Sequence, residues 1–291
     1  MGSLFWRGEA RPYCPRKIKH TILLGDRKAP PTMSMMYGRY FEEVCFKGRY
    51  IDEYDRAIRL SSGKKSIQQL RIEEQADMFP MIANRYGIQV HNSDEKRNIW
   101  RRLHGRLEVK EHPEIEFELK GTCDIESPVE MTGFSYTKAI IDLKLTMDRE
   151  SKFGEYCWGT PEYMDLFQIV FYSYLGQVPG AYLVFDYRPS GRGHKFIPVA
   201  TEAMFHNPDG SPNQKMITEN AEFYQAAKDR QVKLRVLIKD TVDAILKMDA
   251  EGYPKMPSYD NCSNCPLNPV NQLEEKDENY ICRKAGAIQQ V

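Results

Sequence analysis

The sequence has no apolar run approaching the ~20 residues that a membrane-spanning helix needs, and Met1 to Ala10 lacks the apolar stretch of a signal peptide. Both absences predict a chain with no membrane association and a cytoplasmic address, the host cytoplasm if a virus or mobile element encodes it. Charge of one sign is also missing: 41 basic residues meet 41 acidic ones, and the formal net charge is zero. That counts mildly against a nucleic-acid binder but leaves room for a local basic groove, because global charge says nothing about patches. The seven cysteines are odd in number and spread through 291 residues, which argues against a disulfide scaffold and favours metal ligation or buried thiols. No internal repeat or low-complexity tract stands out. The remaining composition, 41% hydrophobic and 28% charged, is that of an ordinary globular chain long enough for one large domain or two small ones.

Periodicity divides the chain. Tyr37, Phe41, Val44 and Cys45 recur at helical spacing, which predicts a helix over 37–54, and 66–86 and 94–107 read the same way. The last of these carries Lys96, Arg97, Arg101, Arg102 and Arg106. Alternation over 115–125 predicts a strand with one buried face. A second strand follows at 138–145, where Ala139-Ile140-Ile141 suggests a central position. Pro128 and Gly133 mark 127–135 as the connection between them. After a polar loop at 151–160, Thr160 and Pro161 form a helix start, and the helix runs to about Leu175. Strands follow at 180–186 and 195–199 around a turn at 189–193, then a long helix over 218–249, continuous or broken, and a tail from Glu251 that contains proline and cysteine. The order predicts an α/β fold, with a small central mixed sheet flanked by helices.

Four short features carry the chemistry. Gly38-x-x-x-Glu42 lies on an early helix, Gly121-x-x-Asp124 at the end of a strand, Asp142-Leu143-Lys144 on the next strand, and Gln168-x-x-x-Tyr172 on the following helix. Asp142 and Lys144 are two apart on a strand and so project from one face. A buried sheet face seldom carries two opposite charges without a task. Asp124 on the neighbouring strand can reach the same point. Two converging carboxylates suit a hard divalent cation, with the Leu143 carbonyl and Glu42 as further ligands. Lys144 can orient or deprotonate a water, or offset developing phosphate charge. Gln168 and Tyr172, four apart on a helix, share a face. Taken singly, Asp-x-Lys is most simply an exposed ion pair, Gly-x-x-Asp a turn, and Glu42 a solvated helix residue with Glu43 as a competing register. Their order, and their placement on helix, strand, strand and helix, is what gives the set weight.

That ordered set, over about residues 37 to 172, resembles the RecB-like branch of the PD-(D/E)xK nuclease superfamily. The resemblance implies a restriction-endonuclease-like core and a Mg2+- or Mn2+-dependent DNA nuclease, most simply an exonuclease acting on single strands or ends. Asp124, Asp142, Glu42 and Leu143 are then metal ligands, Lys144 the catalytic lysine, and Gln168 and Tyr172 positioning groups. Some relatives, including AddB subunits and small CRISPR-associated exonucleases, hold an iron–sulfur cluster with one cysteine before the core and three after it. Cys14, Cys262, Cys265 and Cys282 fit that layout, although the gap from Cys265 to Cys282 is longer than usual there. Four thiolates suit a 4Fe–4S cluster and also zinc. Cys45, Cys123 and Cys157 read as core or incidental thiols. Partners implied are DNA and proteins of DNA repair, recombination or CRISPR adaptation. The rival function is a non-catalytic module on the same fold that binds DNA ends or a recombination partner.

Three regions are expected: an N-terminal helical region with the first active-site helix over 1–110, the nuclease core over 111–250, and a cysteine-containing tail over 251–291 that packs with the N-terminus. Arg97, Arg101 and Arg102 form one basic patch, and Arg188, Arg192, His194 and Lys195 a second; either can bind backbone phosphates. Trp100, Tyr156 and Trp158 can stack on unpaired bases, though aromatics are more often core. The 151–160 loop is expected to border the substrate channel.

Overall fold

Five strands form one mixed sheet, and their spatial order is their order in the chain. The computed structural model describes residues 5–6, 9–10, 14–19, 23–24, 31–47, 52–109, 112–147, 168–188, 192–207 and 209–253. They belong to two compact units, one of Met33–Leu234 and one of Met1–Thr32 with Arg235–Val291.

The larger unit opens with three helices, α1 (Met33–Lys47), α2 (Asp52–Ile58) and α3 (Ile67–Arg85). The 37–54 expectation thus corresponds to two helices, with 48–51 outside the described residues. α3 starts where Ser66, in extended backbone, accepts the Gln69 N–H, a side-chain cap for an otherwise orphaned donor. It ends at Tyr86 and Gly87, whose φ of +66° lets the chain turn off the helix. The buried faces of α1 (Tyr40, Phe41, Val44) and α3 (Ile72, Ala76, Phe79) pack onto the sheet, with Phe41 and Phe79 both against Phe185. Between the helices sits a polar network: Gln69 Nε2 donates to Asp55 Oδ1 at 2.5 Å and to the Tyr40 hydroxyl at 3.3 Å. Tyr40 in turn donates to Glu73, which also pairs with Lys65 at 2.8 Å.

The sheet comprises β1 (Ile99–Val109), β2 (His112–Met131), β3 (Phe134–Thr146), β4 (Gly180–Tyr187) and β5 (Arg192–Val199). Neighbours are antiparallel except β3 and β4, which run parallel. Two expectations are corrected here. Residues 94–107 do not form a helix: Ile99, Leu103 and Leu107 recur every four residues, which fits one helical face and one strand face equally well, and pairing with β2 selects the strand. Residues 127–135 are not simply a connection. β2 continues through them with a register shift around Pro128, and the turn is only Thr132–Gly133, where Gly133 takes φ +77°.

The expected helix ending near Leu175 is described from Gln168 onward as α4 (Gln168–Gly176); residues 151–167 lie outside the described set, as does the 189–191 part of the expected turn. α4 covers the sheet face opposite α1 and α3, since Asp142 and Lys144 meet α4 while Ile141 and Leu143 join the core on the other side. It lies close because the strands beneath carry glycine. A Cβ on Gly121 would stand 2.8 Å from the Tyr172 ring, and one on Gly180 2.7 Å from Ile169. After a 3-10 turn at Glu202–Phe205 come α5 (Gln214–Glu219) and α6 (Ala221–Ala250), so the break in the long C-terminal helix falls at Asn220, which caps α5. This mixed α/β architecture, a central five-stranded mixed sheet flanked by helices, is the one the sequence predicts.

In the smaller unit Phe5–Trp6 pairs with Glu9–Ala10, and a helical turn spans Pro15–Ile18. Ile18, Met248 and Tyr253 pack together there. Among the described residues no helix is long and apolar enough to cross a membrane.

Two glycines make opposite predictions. Gly121→Ala should cost about 1–3 kcal/mol in urea unfolding, the usual penalty of overpacking, because the ring edge it meets cannot swing away as a terminal methyl can. Gly38 lies mid-helix in α1 with nothing within 4 Å of a built Cβ, so Gly38→Ala should stabilise by up to ~1 kcal/mol. Equal effects in the two variants would refute the packing account.

Candidate active site

Asp124 lies in the middle of β2, not at a strand end as the sequence suggests. The position is nevertheless a boundary. Backbone pairing between β2 and β3 begins at Ile125↔Ile141. One step beyond it, the Leu143 N–H donates at 2.7 Å to the Asp124 Oδ2 atom. A buried backbone donor must find an acceptor, and here a side chain supplies it. The contact holds the Asp124 carboxylate beside β3 without further ladder pairing.

From β3, Asp142 and Lys144 project together toward α4. Lys144 is ion-paired with Asp142 and donates at 2.8 Å to Gln168 Oε1. The Gln168 amide nitrogen donates to Asp142 Oδ1 at 3.1 Å and to the Tyr172 hydroxyl at 3.2 Å. One glutamine thus spends its acceptor on the lysine and its donors on the carboxylate and the phenol, so all three are oriented by a single side chain. Asp142 Oδ2 receives no hydrogen bond of regular geometry and lies against the Lys144 ammonium. A further neighbour is Tyr182, opposite Asp142 in the parallel β3–β4 register, with the ammonium 5.6 Å from its ring centre. Tyr182 is the residue that sequence reasoning missed. Nothing local marks it, because its place depends on a register between strands 40 residues apart in the Asp142–Tyr182 pair.

Glu42 on α1 stands at the margin. It is ion-paired with Arg39 at 3.2 Å and accepts from the Trp100 indole N–H at 3.4 Å. Glu43, the competing register, pairs instead with Lys47 at 2.7 Å. Leu143 enters through its backbone N–H, and its side chain belongs to the core.

Burial dominates the electrostatics. It pushes Asp124 well above the usual carboxylate range, and the charges of Asp142 and Glu42 push it further. Burial also raises Asp142, with Lys144 opposing, and raises Glu42, with Arg39 and Trp100 opposing and Asp142 adding to the rise. For Lys144 burial alone would favour the neutral amine, but Asp142, then Tyr182 and Asp124, outweigh it and hold the ammonium above its usual range. The Cys123 thiol is pushed up to about 12, first by burial and then by Glu126 and Asp124, and burial also raises Cys45, so neither supplies a thiolate near neutrality.

Among the described residues no group of three or more His, Cys, Asp or Glu side chains is gathered as a metal cage. Magnesium does not require one: it retains waters and is commonly held through one or two carboxylates. The charge of Asp142 raises Asp124, and the oxygens of both are of the hard type such an ion prefers. Of the four cysteines expected to hold a cluster, Cys14 is buried and forms no disulfide among the described residues, and Cys262, Cys265 and Cys282 lie outside them, as does Cys157.

No family model matches the chain, and no curated protein matches it. A crystal structure from Eubacterium rectale named "Putative exonuclease" is similar with a TM-score of 0.51 and 14% sequence identity, covering 94% of this chain and 86% of that one. A second solved structure, at a TM-score of 0.29 and 10% identity over 76% of this chain and 71% of its own, carries no argument. The first likeness is one of fold.

A raised carboxylate pKa has a consequence for stability. The folded state then holds the proton more tightly than the unfolded chain, so stability falls as pH rises from the ordinary carboxylate range through the raised value. Asp124→Asn keeps an oxygen for the Leu143 N–H and removes the buried charge. It should unfold roughly 2–4 °C higher than wild type at about pH 8 in metal-free buffer. The gap should close toward about pH 4. Calorimetry that shows the same gap at both values would contradict the assignment of the cost to ionised Asp124.

Proposed function

We propose that this protein is a metal-dependent DNA nuclease, an exonuclease of the RecB-like PD-(D/E)xK kind. The observation that carries the proposal is the single hydrogen-bonded network of Asp142, Lys144, Gln168 and Tyr172, with Asp124 on the adjoining strand. Residues of three of the four motifs, on β2, β3 and α4, come together there, and Glu42 of the remaining motif stands at the margin beside Arg39 and Trp100. The likeness in fold to a protein named as an exonuclease supports the same reading.

Asp124 and Asp142, with Glu42 and the Leu143 carbonyl, would hold Mg2+ or Mn2+. When bound, such an ion would supply Lewis acidity at a phosphoryl oxygen and lower the pKa of water. The chain's own contribution is positioning and charge. Asp124 is fixed by the Leu143 N–H, and Asp142 by Gln168. Lys144, kept protonated by Asp142, serves as a fixed cation against the charge that develops on the phosphate rather than as a base. Gln168 aims the ammonium, and Tyr172 sets the glutamine. The proposal extends to the four-cysteine site, whose first member, Cys14, is a buried thiol.

The test is degradation of DNA with Mg2+ or Mn2+. Asp142→Ala and Lys144→Ala should each lower the rate about 100-fold or more, in the range for losing a group that stabilises the transition state. Wild-type activity in both would end the proposal, and DNA binding without metal-stimulated cleavage would favour a non-catalytic end-binding module. Anaerobically purified protein should carry iron or zinc that is lost on Cys14→Ser. Metal-free wild type by elemental analysis would remove the cluster.

A further inference from the structure

Beside the site lies an open cleft of about 710 Å³ lined from α1 and β1, by Arg97 just before β1, and by Tyr54 of α2 and Thr122 of β2. Four arginines, Arg39, Arg97, Arg101 and Arg102, line it against two glutamates, Glu42 and Glu43. In a chain of zero net charge this is a local excess of positive charge. Two of the arginines are already engaged, Arg39 with Glu42 at 3.2 Å and Arg101 with Glu126 at 3.0 Å. Arg97 and Arg102 are exposed and form no ion pair among the described residues.

Trp100 also lines the cleft, and its backbone has φ +47°. The left-handed region costs a residue with a Cβ roughly 1–2 kcal/mol, and for a bulky side chain it is a true outlier. The pairs on either side, Ile99↔Ile125 and Arg101↔Cys123, keep a single register, so the distortion is confined to Trp100. That register sets Trp100 opposite Asp124. The ring packs edge-on against Phe46 at 5.2 Å, and the Lys47 and Arg97 cations lie 5.1 and 5.7 Å from its centre. Its N–H reaches Glu42, which also feels Asp142 and Lys144. A half-buried indole in a strained backbone, oriented by a site carboxylate and attended by two cations has the parts of a base-stacking platform.

We propose that the cleft is a single-strand subsite, in which an unpaired base stacks on Trp100 and Arg97 and Arg102 take the flanking phosphates. This deepens the nuclease reading and rests on it for the direction of the strand toward Asp142. A duplex is not the ligand, because its bases spend their π-faces on one another. Arg97 leaves the indole as the base arrives, exchanging a ring contact for a phosphate.

The experiment is binding of the full chain to labelled oligo-dT, oligo-U and a blunt duplex in EDTA, read by anisotropy and by indole fluorescence. Oligo-dT should bind and quench, and the quench should be missing in Trp100→Phe. Trp100→Leu should weaken binding about tenfold, one base stack's worth. The double variant Arg97→Glu/Arg102→Glu, confined to exposed side chains, should weaken it at least as much and decides the matter if Trp100→Leu fails to fold by circular dichroism. Equal binding of oligo-U also supports the subsite and means that it does not read the 2′ position. Wild-type affinity in both the Trp100→Leu and the double variant, or a duplex bound as tightly as oligo-dT, overturns it. Cleavage with Mg2+ is scored separately: wild type that cuts while the variants bind unchanged sinks the subsite alone, and wild type that binds without cutting sinks the nuclease reading alone.

Discussion

Where β2 and β3 part, a carboxylate takes the place of a backbone carbonyl. The Leu143 N–H is buried, and without Asp124 it would be an orphan costing a few kcal/mol at most but never nothing. Satisfying it with a side chain brings Asp124 to the level of Asp142 at the first step beyond the shared ladder. Two buried carboxylates in one region would each prefer to be neutral. The lysine two residues along β3 offsets part of that preference, and the geometry of the strand guarantees that it emerges on the same face as Asp142.

The arrangement is stiff because its members restrain one another. Gln168 has no freedom to leave Lys144 without also releasing Asp142 and Tyr172. Such shared polar networks hold their groups in one orientation, which is what positioning for a reaction demands. The helix that carries Gln168 reaches the sheet only because β2 and β4 carry glycines under it. Backbone clearance, rather than an added attraction, sets the depth at which the site forms.

How much of this was legible in the sequence depended on distance along the chain. Asp142 and Lys144 on one face follow from a spacing of two, and Gln168 with Tyr172 from a spacing of four. The early helices follow from apolar spacing, β3 from its apolar run, and β4 and β5 from the turn between them. β1 did not, because Ile99, Leu103 and Leu107 satisfy both periods, and only the partner strand distinguishes them. Pro128 reads as a loop residue in isolation, yet a long strand absorbs it at a register shift. The place of Tyr182 beside Asp142 needed the parallel register, and the Tyr40–Gln69–Asp55–Glu73 network needed three helices to meet. Neither has a local signature. The distortion at Trp100 is likewise invisible in a sequence, since any residue there is compatible with a strand on paper.

Gly121 and Tyr172 sit in different motifs, one on β2 and one on α4, and each defines the space for the other. A divergent chain that replaces the glycine must shrink or retract the ring, and one that loses the ring gains a void that a larger residue at 121 can fill. The two positions therefore ought to change together over evolutionary time. At identities as low as 14%, where carboxylates and lysines recur by chance, such a paired vacancy and ring would be a more discriminating mark of common descent than the charged residues themselves.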